Sequence, residues 1–151
     1  MIGVTYEWIG LKQVDAGLAQ VKHSLSVLNP LWETLGDEVR QKETELFAQA
    51  PWTPLTESYA EQKLKEFGDK PLLRASDVMF KSLTEEGAEH NINRIENLFA
   101  EFGTDDPKAR GHHFGSGNLP ERHVLIEFSP ARAESLMGSY LEQSLKEAGF
   151  N

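Results

Sequence analysis

Residues 110–129 read RGHHFGSGNLPERHVLIEFS. Two adjacent histidines precede a Gly-Ser-Gly turn, a Pro-x-Arg triplet follows, and an alternating run closes the stretch. In residues 123–128, Val124, Ile126 and Phe128 alternate with Leu125, which predicts a well-buried strand. Ahead of it, residues 108–114 predict a short helix that delivers His112 and His113, and residues 115–118 predict a flexible turn. Behind it, Ser129 and Pro130 supply an N-cap and a proline at the first helical position. The helix they open carries Leu136, Met137, Tyr140, Leu141 and Leu145 on one face, and Gly149 closes it.

Working back toward the N-terminus, residues 78–83 predict a strand, with residues 84–87 as its turn. Residues 92–102 alternate imperfectly and are read as the return strand, with helix the open alternative. The GTDD turn at 103–106 and Pro107 end that run. Leu72, Leu73 and Ala75 suggest one helical turn stopping near Ser76 and Asp77. In the connector 50–59, Pro51 and Pro54 bias their neighbours away from helix and place Trp52 on an extended loop. Trp52 is either a plug that packs the loop onto the core or an anchor for a partner pocket. Thr56 then caps a short helix through Lys65, ended by Gly68.

Two longer helices lead the chain. Leu11, Val14, Leu18, Val21, Leu25 and Leu28 alternate three and four apart and share one helical stripe. The stripe is expected to cover the domain's own sheet; a seam with another subunit is the alternative. Asn29 and Pro30 open a second helix through about Gln49, with Leu31, Leu35, Val39 and Leu46/Phe47 on one side and Gly36 as its weak point. These elements predict an α+β fold, a small, mostly antiparallel sheet packed by two N-terminal helices and a C-terminal helix. We expect one domain over residues 1–151, divided into an N-terminal helical segment (1–49), a mixed core (50–128) and a C-terminal helix (129–151).

The 151 residues are 39% hydrophobic and 26% charged, which is enough to bury a core and is unlike a disordered tail. A net charge of −9 disfavours nonspecific attraction to nucleic acid or to an anionic membrane. There are no cysteines, which excludes disulfides and thiolate metal sites. The first residues lack the basic start and apolar run of a signal peptide, and no apolar run approaches the length of a bilayer span, so the chain is expected in the cytoplasm where it is made.

Local chemistry is sparse. His112 and His113 are neighbours, so their side chains point to different sides and chelate one metal poorly; His90 or His123 would have to fold nearby. Gly115-Ser-Gly117 lacks the spacing of a nucleophile elbow, the lysine of a P-loop and the third glycine of a dinucleotide fingerprint. No pair of carboxylates is singled out by an apolar pocket. Arg110 and Arg122 bracket the histidine loop, either to meet an acidic partner or to pair within this acidic chain. No cofactor and no metal are expected.

Four blocks together resemble the phage virion morphogenesis family, the tail-completion or neck proteins of Mu-like tailed phages. Trp52-Thr-Pro-Leu55 with Lys63 looks like its W-x-P-L segment and downstream lysine. Leu73-Arg-Ala-Ser-Asp-Val-Met79 with Ser82 and Leu83 fits its L-x-x-T-G-x-L-x-x-S-L block. His112-His-Phe-Gly115 is similar to H-Q-F-G, and Leu119-Pro-Glu-Arg122 to I-P-A-R. The blocks span residues 52–128, about half the chain. Asp77 stands where the pattern has glycine, so that turn is expected to be made differently; Lys108 replaces a tyrosine, and Glu121 a small residue.

The resemblance implies a non-enzymatic structural protein that completes a tail or joins head to tail as a homo-oligomeric ring, a hexamer among the options. Its implied partners are itself and portal, connector, neck or tail-tube proteins, in the host cytoplasm during assembly and then in the virion. Trp52, Arg110, His112, His113, Phe114 and Arg122 are the expected partner contacts; Phe114 doubles as a core anchor and Arg122 as a brace for the loop. Charge reversal at Arg110 or Arg122 is expected to spare folding and block incorporation into particles. Two other classes stay open: an acidic monomeric or dimeric adaptor using the 11–28 stripe, and a metal hydrolase using His112 and His113.

Overall fold

A computed structural model of the protein describes residues 11–150. The N-terminal segment before Leu11 and the side chain of Leu11, which the stripe includes, lie outside the described residues, as does Asn151. The described residues form helices α1 (Leu11–Ser26), α2 (Asn29–Gln49), α3 (Glu57–Phe67), α4 (Val78–Thr84), α5 (Pro107–Phe114) and α6 (Pro130–Glu147). They also form one antiparallel hairpin, β1 (Asn91–Glu96) and β2 (Phe99–Thr104), paired from Asn91 with Thr104 to Glu96 with Phe99. The fold is α+β, as the sequence predicts. No described helix is long and apolar enough to cross a membrane.

The core lies between α2, α4 and the extended chain after α5. Phe47, Trp52, Met79, Leu83, Ala109 and Val124 are buried in one cluster. The Phe47 ring meets Trp52 at 5.1 Å and Phe80 at 5.3 Å, both edge to face. Trp52 is thus a plug: its Nε1 donates to the His123 carbonyl at 2.8 Å, locking the connector to the chain on the far side of the core.

Four elements differ from the expectation. Residues 78–83 belong to helix α4, not a strand. Met79, Ser82 and Leu83 are its buried side chains, and their spacing of three and four is helical. The run 92–102 is not one strand but most of a hairpin, turning at Asn97 and Leu98.

Residues 123–128 are irregular, with a bend at Leu125, and Val124 is wholly buried, yet they join no sheet among the described residues. Their backbone amides are met by side chains instead. Leu125 N donates to His113 Nδ1 at 3.3 Å and Ile126 N to Glu43 Oε1 at 2.9 Å. Burial without a neighbouring strand mimics a strand's pattern in sequence.

The α1 stripe does not cover the sheet. Of the helices expected there, α2 packs on the hairpin, α4 is its second cover, and α1 and α6 pack mainly on each other. The buried edge of α1 runs through Gly17, Val21 and Ser24, rotated from the apolar stripe. Val14, Leu18 and Leu25 are left exposed. Tyr140 Oη donates to the carbonyls of Ser24 and Val27, and a Cβ at Gly17 would sit 2.7 Å from the Phe150 ring.

Helix α2 also starts differently. Leu28 is its cap residue, without a side-chain cap, and Asn29 is already helical. Asp77 adopts the left-handed conformation itself, at φ 57°, so the turn keeps the glycine-like geometry. Arg74 Nε at 2.7 Å and Lys70 Nζ at 3.0 Å hold its carboxylate and keep it ionised below the usual range.

Candidate docking cleft

A cleft of about 770 Å³ opens beside the core. Thr53, Pro54 and Leu55 form one wall, held out from α2 by the buried Trp52. Tyr59, Lys63 and Phe67 of α3 form the second, and Leu72, Leu73, Ala75 and Met79 the third. The fourth comes from α5 and the loop after it, through Lys108, His112, Leu119, Pro120 and Arg122. A size of this order is typical of ligand-binding clefts.

Helix α3 has no buried residue, and Tyr59, Leu64 and Phe67 are all largely exposed. It is tied down by its lysine: Lys63 Nζ donates to the carbonyls of Lys70 and Pro71, the latter at 2.8 Å. The turn those carbonyls begin is closed by Arg74 N donating to Pro71 O. It holds Leu73 at φ 62°, a costly conformation for leucine that sets its side chain in the cleft wall.

The electrostatics are one-sided. Lys63, Lys108 and Arg122 line the cleft, and no carboxylate does among the described residues. Arg122 is 4% exposed, and its Nε and Nη2 donate to the Thr53 carbonyl at 3.3 and 3.1 Å. It makes no ion pair with a carboxylate among the described residues, so its direct hydrogen-bond partner is a carbonyl dipole. Its backbone N donates to His112 O at 2.7 Å, closing the loop between them. His112 Nδ1 is buried without a hydrogen-bond partner among the described residues, and burial, then the Arg122 charge, lowers the imidazole's pKa. The neutral ring is therefore favoured near pH 7.

The six residues singled out in the sequence separate into four places. Trp52 is committed to the core and offers no free face. His112 and Arg122 line the cleft. His113 turns inward, accepting from Leu125 N and meeting the His123 ring at 5.1 Å. Arg110 and Phe114, four residues apart on α5, point outward together. Phe114 is 69% exposed, so it is no core anchor. Reversing the charge of Arg122 would set a carboxylate against the Thr53 carbonyl in the interior, so that substitution does not spare the fold; Arg110, exposed, remains suited to it.

Sequence reasoning missed Tyr59 and Phe67, which carry no pattern of their own on so polar a helix. It also missed Glu43, 2% exposed in α2. The signal for Glu43 was present: it continues the spacing Leu35, Val39, and precedes Phe47 by four. Comparison of the chain with known proteins finds no matching family model, no matching curated protein and no matching solved structure.

Proposed function

We propose that the chain is a non-enzymatic virion morphogenesis protein, a tail-completion or neck subunit that docks through this cleft as part of a homo-oligomeric ring. One observation carries the reading. The four blocks of the resemblance, scattered over residues 52–128, each contribute to the lining of the same cleft: Thr53, Pro54 and Leu55 with Lys63; Leu73, Ala75, Ser76 and Met79; His112; and Leu119, Pro120 and Arg122. An apolar floor with a cationic lining suits a partner segment that carries both apolar side chains and carboxylates. Its partners are then other copies and the portal, connector or tail-tube proteins, in the host cytoplasm during assembly and afterwards in the particle.

The test is incorporation. Lys108→Glu changes an exposed cleft cation and Arg110→Glu an exposed cation on the outer face of α5. Both variants are expected to keep the wild-type circular dichroism and melting curve. Lys108→Glu is expected to cut the amount of the chain in purified particles at least tenfold, and infectivity with it. Normal infectious particles from the folded Lys108→Glu chain would overturn the cleft as the docking site. The exposed Val14, Leu18 and Leu25 favour a second reading, an adaptor that works through α1. There, Leu18→Asp would lose the partner while Lys108→Glu kept it.

A further inference from the structure

The hairpin turn presents a feature that folding does not call for. Leu98 is 73% exposed, the most exposed large apolar side chain among the described residues, and Phe99 beside it is 47% exposed. Two-residue hairpin turns ordinarily use Asn, Asp or Gly, and a leucine there gains nothing from water. The turn is also held still. Leu28 N donates to Asn97 Oδ1 at 3.3 Å and Trp32 Nε1 to Asn97 O at 3.2 Å, so the start of α2 clamps it from the side. Leu98 is thus a rigidly mounted apolar knob. Two carboxylates and one cation sit on the strands behind it: Arg94 pairs with Glu96 at 2.7 Å, lies 5.8 Å from the Phe99 ring and stands across the ladder from Glu101, which makes no ion pair among the described residues.

We propose that this knob occupies the cleft of a second copy of the chain, joining subunits head to tail. The inference rests on the assembly reading and names the occupant of its cleft. Knob and cleft match in chemistry: apolar tip to apolar floor, and a flank of two carboxylates against one arginine to the cationic side chains of Lys63 and Lys108. They also lie at opposite ends of the molecule. The knob is clamped to the first turn of α2, and the cleft wall begins just past its last turn. Twenty-one residues of helix separate them, about 31 Å at ~1.5 Å per residue. A knob cannot reach its own cleft across that length, so the contact is between copies. Each subunit offers one knob and one cleft on different surfaces, which makes the contact heterologous and capable of closing into a ring.

The experiment is the solution mass of the full chain, by light scattering over a concentration series, for three proteins. These are the wild type, the knob variant Leu98→Asp and the cleft variant Tyr59→Asp; both positions are exposed. The wild type is expected to exceed the 17.0 kDa of one subunit, and each variant alone to fall to it. An equimolar mixture of the two variants is expected to recover a species of two subunits and stop there, because one sound knob and one sound cleft remain. Leu98→Ser replaces Leu98→Asp if the latter alters the melting curve.

A monomeric wild type, an unchanged mass for the folded knob variant, or a mixture that stays monomeric each overturns the proposal. The assembly reading fails separately. A monomeric wild type that enters particles has a different occupant for its cleft, while a chain that self-associates through knob and cleft but never enters particles keeps the contact and loses the function.

Discussion

Glu43 lies in the interior, and among the described residues only Oε1 has a donor, Ile126 N; Oε2 has none. Burial pushes this acid up to about 7 from an ordinary 4.5, against the lowering effect of that hydrogen bond. The folded state therefore holds a proton that the unfolded chain releases. The resulting stability is fully present below pH ~4.5 and is lost as pH rises through about 7, where the charged form must be kept dry. At ~1.4 kcal/mol per pH unit the window is worth at most about 3.5 kcal/mol. Glu43→Gln keeps an oxygen for Ile126 and removes the titration. Urea midpoints at pH 5 and pH 8 should show the wild type losing more stability across that interval than the variant. Equal losses would mean Glu43 does not titrate there. Side chains of this kind are legible only in part: the helical period of Leu35, Val39 and Phe47 passes through Glu43, but a carboxylate on that period reads as solvent-facing.

At the scale of elements, length decided what could be read. α2 and α6 have several turns of apolar spacing with proline at the first turn, and Ser129 does cap α6 by accepting from Arg132 N. Residues 78–83 and 123–128 span fewer than two helical turns, where an apolar run reads as either state. α1 was recognised as a helix and misassigned in its packing. Its contact with α6 and the residues after it is selected by the smallness of Gly17, which belongs to no apolar stripe, and by the hydroxyl of Tyr140.

Gly36 shows the same effect in α2. A Cβ there would lie 2.7 Å from Phe102 Cε1 and 3.2 Å from Cζ, so the glycine admits the hairpin to the helix. Propensity alone predicts that Gly36→Ala stabilises by up to ~1 kcal/mol. Packing predicts the reverse, a loss of about 1–2 kcal/mol in denaturant unfolding. The sign should invert in a Phe102→Leu background, and stabilisation in the wild type would refute the contact.

On the scale of the whole molecule, the cleft is a tertiary object. Its blocks were visible as separate stretches, and their order suggested a family. Their convergence depends on Trp52 reaching His123, Arg122 reaching Thr53 and Lys63 reaching the turn at Pro71, contacts that span up to 71 positions. No local period encodes such pairings. The exposed knob is equally silent in sequence, since a leucine between a polar run and a phenylalanine reads as ordinary strand.

Amide hydrogen exchange on the chain in purified particles, against the free chain, tests the central claim most directly. The cleft account predicts slowed exchange in the segments 53–63, 72–79 and 108–122 upon assembly, with little change along the outer face of α6. Unchanged exchange across those three segments, with protection confined to α1 or elsewhere, would contradict it.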